Sequence, residues 1–135
     1  MKTEENKLYA RQCANEAKLI RAFAYTWLYR TFGEVPIVRH GMTSDELADN
    51  PQVKKEELYK YILQDLDEAI DTLPASYSKN WGTRYTKYTA LALKAKAAMY
   101  FGDWQGAADA AGEVIASGKF SLVDDYRFLF SVDGE

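Results

Sequence analysis

A single cysteine, a single histidine and only three prolines occur in the 135 residues, and each shortage closes off a class of function. Cys13 alone cannot form an internal disulfide. It sits inside a helical pattern, not in the small-residue context of a lipid-attachment site. His40 lies in a polar loop between Arg39 and Gly41, far in sequence from Cys13, so no metal-ligand spacing is present. There is no glycine-rich phosphate loop and no serine-centred nucleophile elbow. The chain therefore reads as non-enzymatic, with no cofactor or metal implied. A net charge of −3 and a pI near 5.3 lack the basic excess that a nucleic-acid partner requires. No apolar run approaches the roughly 18 residues that span a bilayer. The opening Met1-Lys2-Thr3-Glu4-Glu5-Asn6-Lys7 is polar and has no apolar centre of a secretion signal; a piece excised from a longer protein has the same appearance.

What is present favours helices. The chain is 47% hydrophobic, enough for a proper core, and 27% charged, which suits a solvated surface. The most ordered stretch runs from Thr86 to Leu122. Thr86 is placed to cap a helix rich in Ala and Leu that extends to Phe101. Gly102 suits the left-handed residue that closes it, and Asp103 caps the next. That second helix sets Trp104, Ala107, Ala108, Ala111, Val114 and Ile115 along one apolar stripe and ends at Ser117-Gly118. Small residues (Ala95, Ala97, Ala98, Ala107, Ala108, Ala111) allow close approach of the two backbones, with Tyr100, Phe101 and Trp104 expected in the corner. The segment Tyr100-Phe101-Gly102-Asp103-Trp104-Gln105-Gly106-Ala107-Ala108 resembles the corner of a tetratricopeptide repeat.

Upstream, residues 4–31 form a long helix whose stripe of Ile20, Phe23, Ala24, Trp27 and Leu28, continued by Ala14 and Ala17, is expected to be buried. Lys18, Arg21, Tyr25 and Arg30 lie mostly off that stripe. Gly33 and Pro36 end the helix, and Ile37 and Val38 are expected to be extended and tucked against the helices. A connection follows, in which Thr43 and Glu46 have the spacing of a capping box around a short helical turn. A link of this length inside a compact unit tends to be functional. Residues 55–73 form the next helix, with Leu58, Ile62, Leu66, Ala69, Ile70 and Leu73 inward and Lys60, Gln64, Asp67, Glu68 and Asp71 towards water. Its carboxylates read as a solvated face.

Ten Tyr, six Phe and three Trp make aromatics the compositional oddity. Three of these rings fall in the loop from Pro74 to Tyr85, beside amide and basic donors. Tyr77, Asn80, Trp81, Arg84 and Tyr85 are the candidate ligand-binding residues, because ring faces flanked by polar donors suit a sugar. Trp81 and Tyr85 either present themselves partly exposed to a ligand or fold back as plugs over the helix ends. Beyond the hairpin, residues 119–122 are extended and residues 124–130 form a short turn or helix that packs back.

Several segments together resemble the SusD/RagB family. They are Glu16–Tyr25 followed by Tyr29-Arg30-Thr31-Phe32-Gly33-Glu34-Val35-Pro36, then Ile62–Ala69 with Leu73-Pro74, then Arg84-Tyr85-Thr86-Lys87. The hairpin from Ala90 to Ile115, Ser117–Leu122 and Tyr126–Phe130 complete the series. The resemblance implies an all-α fold of tetratricopeptide-like antiparallel helix pairs. Segments 4–31 and 55–73 form the first pair around the insertion 33–53, segment 86–117 the second, and 118–135 an extension. It further implies part of a nutrient-binding, in the first instance glycan-binding, surface lipoprotein of the outer membrane in Bacteroidetes-type bacteria. Such a protein captures a glycan or other nutrient for a TonB-dependent transporter. Family members are longer, so the chain is expected to be a fragment of the first helical pairs, attached to membrane only through a lipid anchor outside it. The alternative is a stand-alone tetratricopeptide-like adaptor that takes a peptide in its concave groove.

Overall fold

The computed structural model describes residues 3–77 and 84–131. Five α-helices follow in order: α1 (Glu4–Phe32), α2 (Ser44–Ala48), α3 (Lys55–Thr72), α4 (Lys87–Phe101) and α5 (Trp104–Ala116), with a closing 3-10 helix (Tyr126–Phe130). There is no strand among the described residues. Packing follows chain order: α1 lies on α3, α3 on α4 and α4 on α5, while α1 also touches α4. Each helix therefore buries its face on its neighbours, as in a stack of helical pairs.

Local chemistry sets the helix ends. The Thr3 hydroxyl accepts from the Asn6 amide at the start of α1, with Glu4 and Glu5 in the first turn. Thr43 and Glu46 form the reciprocal capping box on α2, and Thr86 caps α4 through the Thr89 amide. The start of α3 has no cap of its own from Lys54. Its Lys55 amide instead donates to Glu34 Oε1 at 3.0 Å, a carboxylate carried in from the end of α1. Beside it the Val53 amide donates to the Val35 carbonyl at 3.2 Å. The Val38 amide donates to the Tyr25 hydroxyl at 2.8 Å. Val35 and Ile37 are thereby drawn into the core, while Val38 stays exposed.

The central core joins Ala22 and Tyr25 of α1, Leu58, Ile62 and Leu66 of α3, and Ala97 and Phe101 of α4. Truncating one of these large aliphatic side chains to alanine costs about 2–5 kcal/mol in such a setting. A charged contact crosses the same interface. Arg21 Nε and Nη2 donate to the two oxygens of Asp65 at 2.8 Å each, and the Asp65 side chain is only 4% exposed. The Arg21 guanidinium also lies 5.0 Å from the centroid of the Tyr61 ring. Removing Arg21 alone strands a buried carboxylate, a strongly destabilising change. Lys18–Glu68 between α1 and α3, and Lys94–Asp67 between α4 and α3, add more exposed ion pairs.

Three expectations are corrected. The α1 stripe is displaced by one residue, about 100° round the helix. Asn15, Leu19, Ala22, Tyr25 and Thr26 are buried, whereas Ile20, Phe23, Trp27 and Leu28 are exposed. The helix carries apolar residues on two faces, and periodicity alone does not say which one meets α3. In α5, Ala107 and Ala110 are buried, Ala111 and Val114 half-buried, and Ala108, Trp104 and Ile115 exposed, Trp104 by 70%. Tyr88 and Leu91 of α4 pack with Ala110 of α5, flanked by the half-buried Ala95 and Val114. Finally, the closing 3-10 helix does not pack back on the other helices, and Tyr126, Phe128 and Phe130 stay exposed.

The corner is filled by Phe101 and not by Trp104. Its ring stacks between Tyr29 at 3.9 Å and Tyr59 at 4.7 Å. Gly102 adopts φ 83°, the left-handed conformation that closes α4 at no steric cost to glycine. Asp103 then starts α5: its Oδ1 accepts from the Gly106 amide at 2.9 Å, and its Oδ2 from the Tyr59 hydroxyl at 2.7 Å. The Gly106 amide first, and the Tyr59 hydroxyl second, hold the Asp103 carboxyl below the usual carboxylate range. A Cβ at Gly106 would meet Asp103 Oδ2 at 2.3 Å.

Two expected outcomes follow from this corner. Gly106→Ala lowers the melting temperature, although replacing an interior helical glycine by alanine ordinarily stabilises by about 1 kcal/mol; calorimetry showing a gain would refute the account. The Asp103 carboxyl has a depressed folded-state pKa, so its contribution is present above its ordinary value of 3.8 and is lost as pH falls through the folded value. Asp103→Asn, which cannot titrate, therefore flattens the loss of thermal stability measured from pH 5 to pH 2.

Candidate functional site

Of the five residues singled out in the 74–85 loop, Tyr77, Arg84 and Tyr85 are described, while Asn80 and Trp81 lie outside the described residues. The loop leaves α3 at Pro74 and rejoins the helical stack at Lys87, whose amide donates to the Pro74 carbonyl at 3.0 Å. This bond closes the loop across its base.

Arg84 anchors the returning end. Its Nε and Nη2 donate to Glu16 Oε1 and Oε2 at 2.9 and 2.8 Å, and Nη2 also lies 3.4 Å from Cys13 Sγ. Both side chains of the ion pair are largely buried. Hydrogen bonding to Glu16, and then to Cys13, pushes the Arg84 guanidinium above its already high range. The outgoing end meets the same carboxylate: the Tyr77 hydroxyl donates to Glu16 Oε1 at 3.4 Å. The guanidinium further sits 5.2 Å from the Tyr9 ring centroid and 5.5 Å from that of Tyr77. Burial, and then the Glu16 charge, raise the Tyr77 phenol above its usual range, so it stays a neutral donor. One glutamate on α1 thus grips both ends of the loop.

Two surfaces open on either side of this anchor. A cleft of ≈ 340 Å³ is lined by Ala75, Ser76, Tyr77, Arg84 and Thr86, together with Lys119 and Phe120 from the segment after α5. Phe120 packs edge-on against Tyr88, with ring centroids 5.4 Å apart. Tyr85, 40% exposed, faces away into an apolar groove of ≈ 320 Å³ between α1 and α4, with Leu19, Ile20, Phe23, Thr89 and Leu93. The groove continues past Phe23 to Trp27 and Tyr100, whose rings flank the Arg30 guanidinium at 4.9 and 5.2 Å. The structure therefore brings Tyr77 and Arg84 together and directs Tyr85 elsewhere.

Sequence reasoning missed Glu16, Cys13 and Tyr9 as partners of the loop, and Lys119 and Phe120 as lining. These lie too far along the chain for any spacing rule. The one available signal was an unassigned carboxylate, Glu16, within an otherwise apolar and basic stretch of α1. Among the described residues, no group of three or more His, Cys, Asp or Glu is placed to hold a metal ion. No helix among them is long and apolar enough to cross a membrane.

The described residues thus form a helical stack with a loop pinned at both ends beside a shallow cleft of mixed polar and apolar lining. The model of a SusD-like family, described as starch-binding and associating with the outer membrane, matches residues 1–99. The chain belongs to this SusD-like family. It is 33% identical over 98% of its length to SusD-like protein P38 of Formosa agariphila, and 31% identical over 96% to SusD-like protein P2 of the same organism, covering 26% of each. Among solved structures it superposes on a SusD-like protein from Bacteroides fragilis with a TM-score of 0.83 and 28% identity, over 90% of this chain and 25% of that one. The match to surface glycan-binding protein A from Bacteroides fluxus has a TM-score of 0.77 and 27% identity, over 95% and 28%. The chain spans about a quarter of the length of these relatives.

If Glu16 holds both loop ends, Arg84→Met frees them while leaving the helical core intact. Hydrogen exchange at the Tyr77 and Tyr85 amides should then accelerate, with exchange in α3 and α4 unchanged, and Cys13 should react faster with a thiol reagent. Unaltered exchange at both amides would show that the pair anchors nothing.

Proposed function

We propose that this chain is part of a cell-surface protein that captures a nutrient, in the first instance an oligosaccharide, and holds it without chemical change. The observation that carries the reading is the pinned loop within a family described as starch-binding. Tyr77, Asn80, Trp81 and Arg84 are the proposed contact surface, without Tyr85, which faces the apolar groove; Arg84 and Tyr77 act chiefly as its base, because Glu16 engages them both. Ring faces supply stacking area, and hydroxyl and amide groups satisfy sugar hydroxyls. The same reading gives the assembled protein a TonB-dependent outer-membrane transporter as partner, receiving the captured ligand. It also gives that protein a lipid anchor and a non-catalytic role.

The groove between α1 and α4 favours a second reading, a peptide-binding adaptor. Aromatic and aliphatic side chains line it along two helices, as a docked segment would require. Membership of a family described as starch-binding weighs for the first reading.

Titration with a panel of neutral and charged oligosaccharides, followed by tryptophan fluorescence and loop amide shifts, tests the proposal. Binding should weaken roughly three- to tenfold on Trp81→Ala or Tyr77→Ala. A panel that leaves the loop signals unchanged would rule out a glycan site here, and an apolar peptide shifting only α1 and α4 resonances would favour the adaptor.

A further inference from the structure

Lys119 and Phe120 extend the candidate site beyond the loop, and their chemistry narrows what it takes. The cleft they share with Tyr77 and Arg84 contains hydroxyls from Ser76 and Thr86, two ring-bearing residues and two cations, but no carboxylate in its lining. The cations are not equivalent. Arg84 is neutralised by the two-armed pair with Glu16. Lys119 has no carboxylate within ion-pair distance among the described residues; its ammonium lies 5.4 Å from the centroid of the Tyr88 ring. Its stem runs along an aromatic surface while its charge remains available to water or a ligand. Neighbouring Lys87, 5.3 Å from the same centroid, adds positive potential and is only partly offset by Glu113 at 3.3 Å. Phe120 is 61% exposed and makes an edge contact with Tyr88, so one face of its ring is open to the cleft.

We infer that this cleft binds an acidic sugar, its ring against Phe120 and its carboxylate or sulfate on Lys119. The inference rests on the glycan-binding reading above and specifies its ligand class. A lysine ammonium gives an anionic substituent a charge-assisted hydrogen bond, whereas a neutral sugar gains only the stacking and hydroxyl contacts. The exposed setting keeps the charge contribution modest and sensitive to salt.

The test is calorimetry on the 135-residue chain with three probes: an oligogalacturonate, its fully methyl-esterified form, and a sulfated galactan oligosaccharide. The acid, the sulfated probe or both should bind about fivefold more tightly than the ester at low salt, and added salt should erase the advantage. Lys119→Gln should abolish the preference for the charged probes; Phe120→Ala should weaken every probe. Which charged probe binds separates carboxylate from sulfate recognition. Equal affinity for all three probes, or a preference that survives Lys119→Gln, overturns the acidic-sugar inference and leaves the glycan reading standing. Absence of binding by all three probes and by neutral starch oligosaccharides overturns both.

Discussion

One carboxylate, that of Asp103, ties the two halves of the helical stack into a single body. It caps α5 through the Gly106 amide and accepts the Tyr59 hydroxyl from α3. Its own amide donates to the Ala98 carbonyl of α4 at 2.9 Å. Three helices thus meet at one short residue: its carboxylate accepts from α5 and α3, one bond on each oxygen, and its backbone amide donates to α4. Tyr59 adds its ring to the Phe101 stack, so the polar and aromatic contacts of the corner share a residue. Burial, followed by the bond to Asp103, raises the Tyr59 phenol above its usual range and keeps it a donor. The geometry of everything mounted on α3 and α4, the loop included, depends on this corner.

How far the sequence disclosed the structure differs by kind of signal. Helix ends were legible, because caps are local: Thr43 with Glu46, Thr86, and Gly102 with Asp103 all occupy the roles their residue types suggest. The inward face of α3 was legible as well, since its aliphatic residues fall on one side and its charges largely on the other. The buried face of α1 was not. A helix with apolar residues on two sides presents two solutions, and only the partner helix selects Leu19 and Ala22 over Ile20 and Phe23. Long-range pairs were equally hidden. Nothing near Asp65 in sequence announces Arg21, 44 positions earlier, and nothing near Arg84 announces Glu16, 68 positions earlier. The loop was recognisable as a candidate site from its rings, yet its mode of attachment and the contribution of Lys119 and Phe120 required three dimensions.

A binding scaffold gains from this arrangement because rigidity reduces what a ligand must order on arrival. Shallow clefts with one or two exposed rings hold ligands weakly, and each rotor frozen in advance improves what remains. The Glu16–Arg84 pair and the bond from Lys87 to Pro74 fix the loop base before any ligand is present. The segment after α5 contributes Lys119 and Phe120 to the cleft, with Phe120 held edge-on against Tyr88 of α4. The lining of the cleft is thereby drawn from two parts of the chain on one support.

The stretch between α1 and α3 has a consequence for how such proteins diverge. Both of its ends are stapled to each other: Glu34 caps the incoming helix, and Val35 pairs with Val53. The residues between form a closed excursion whose entrance and exit remain adjacent whatever its length. Lengthening such an excursion adds closure entropy only logarithmically. Residues can therefore be inserted or removed here while the helical register stays as it is.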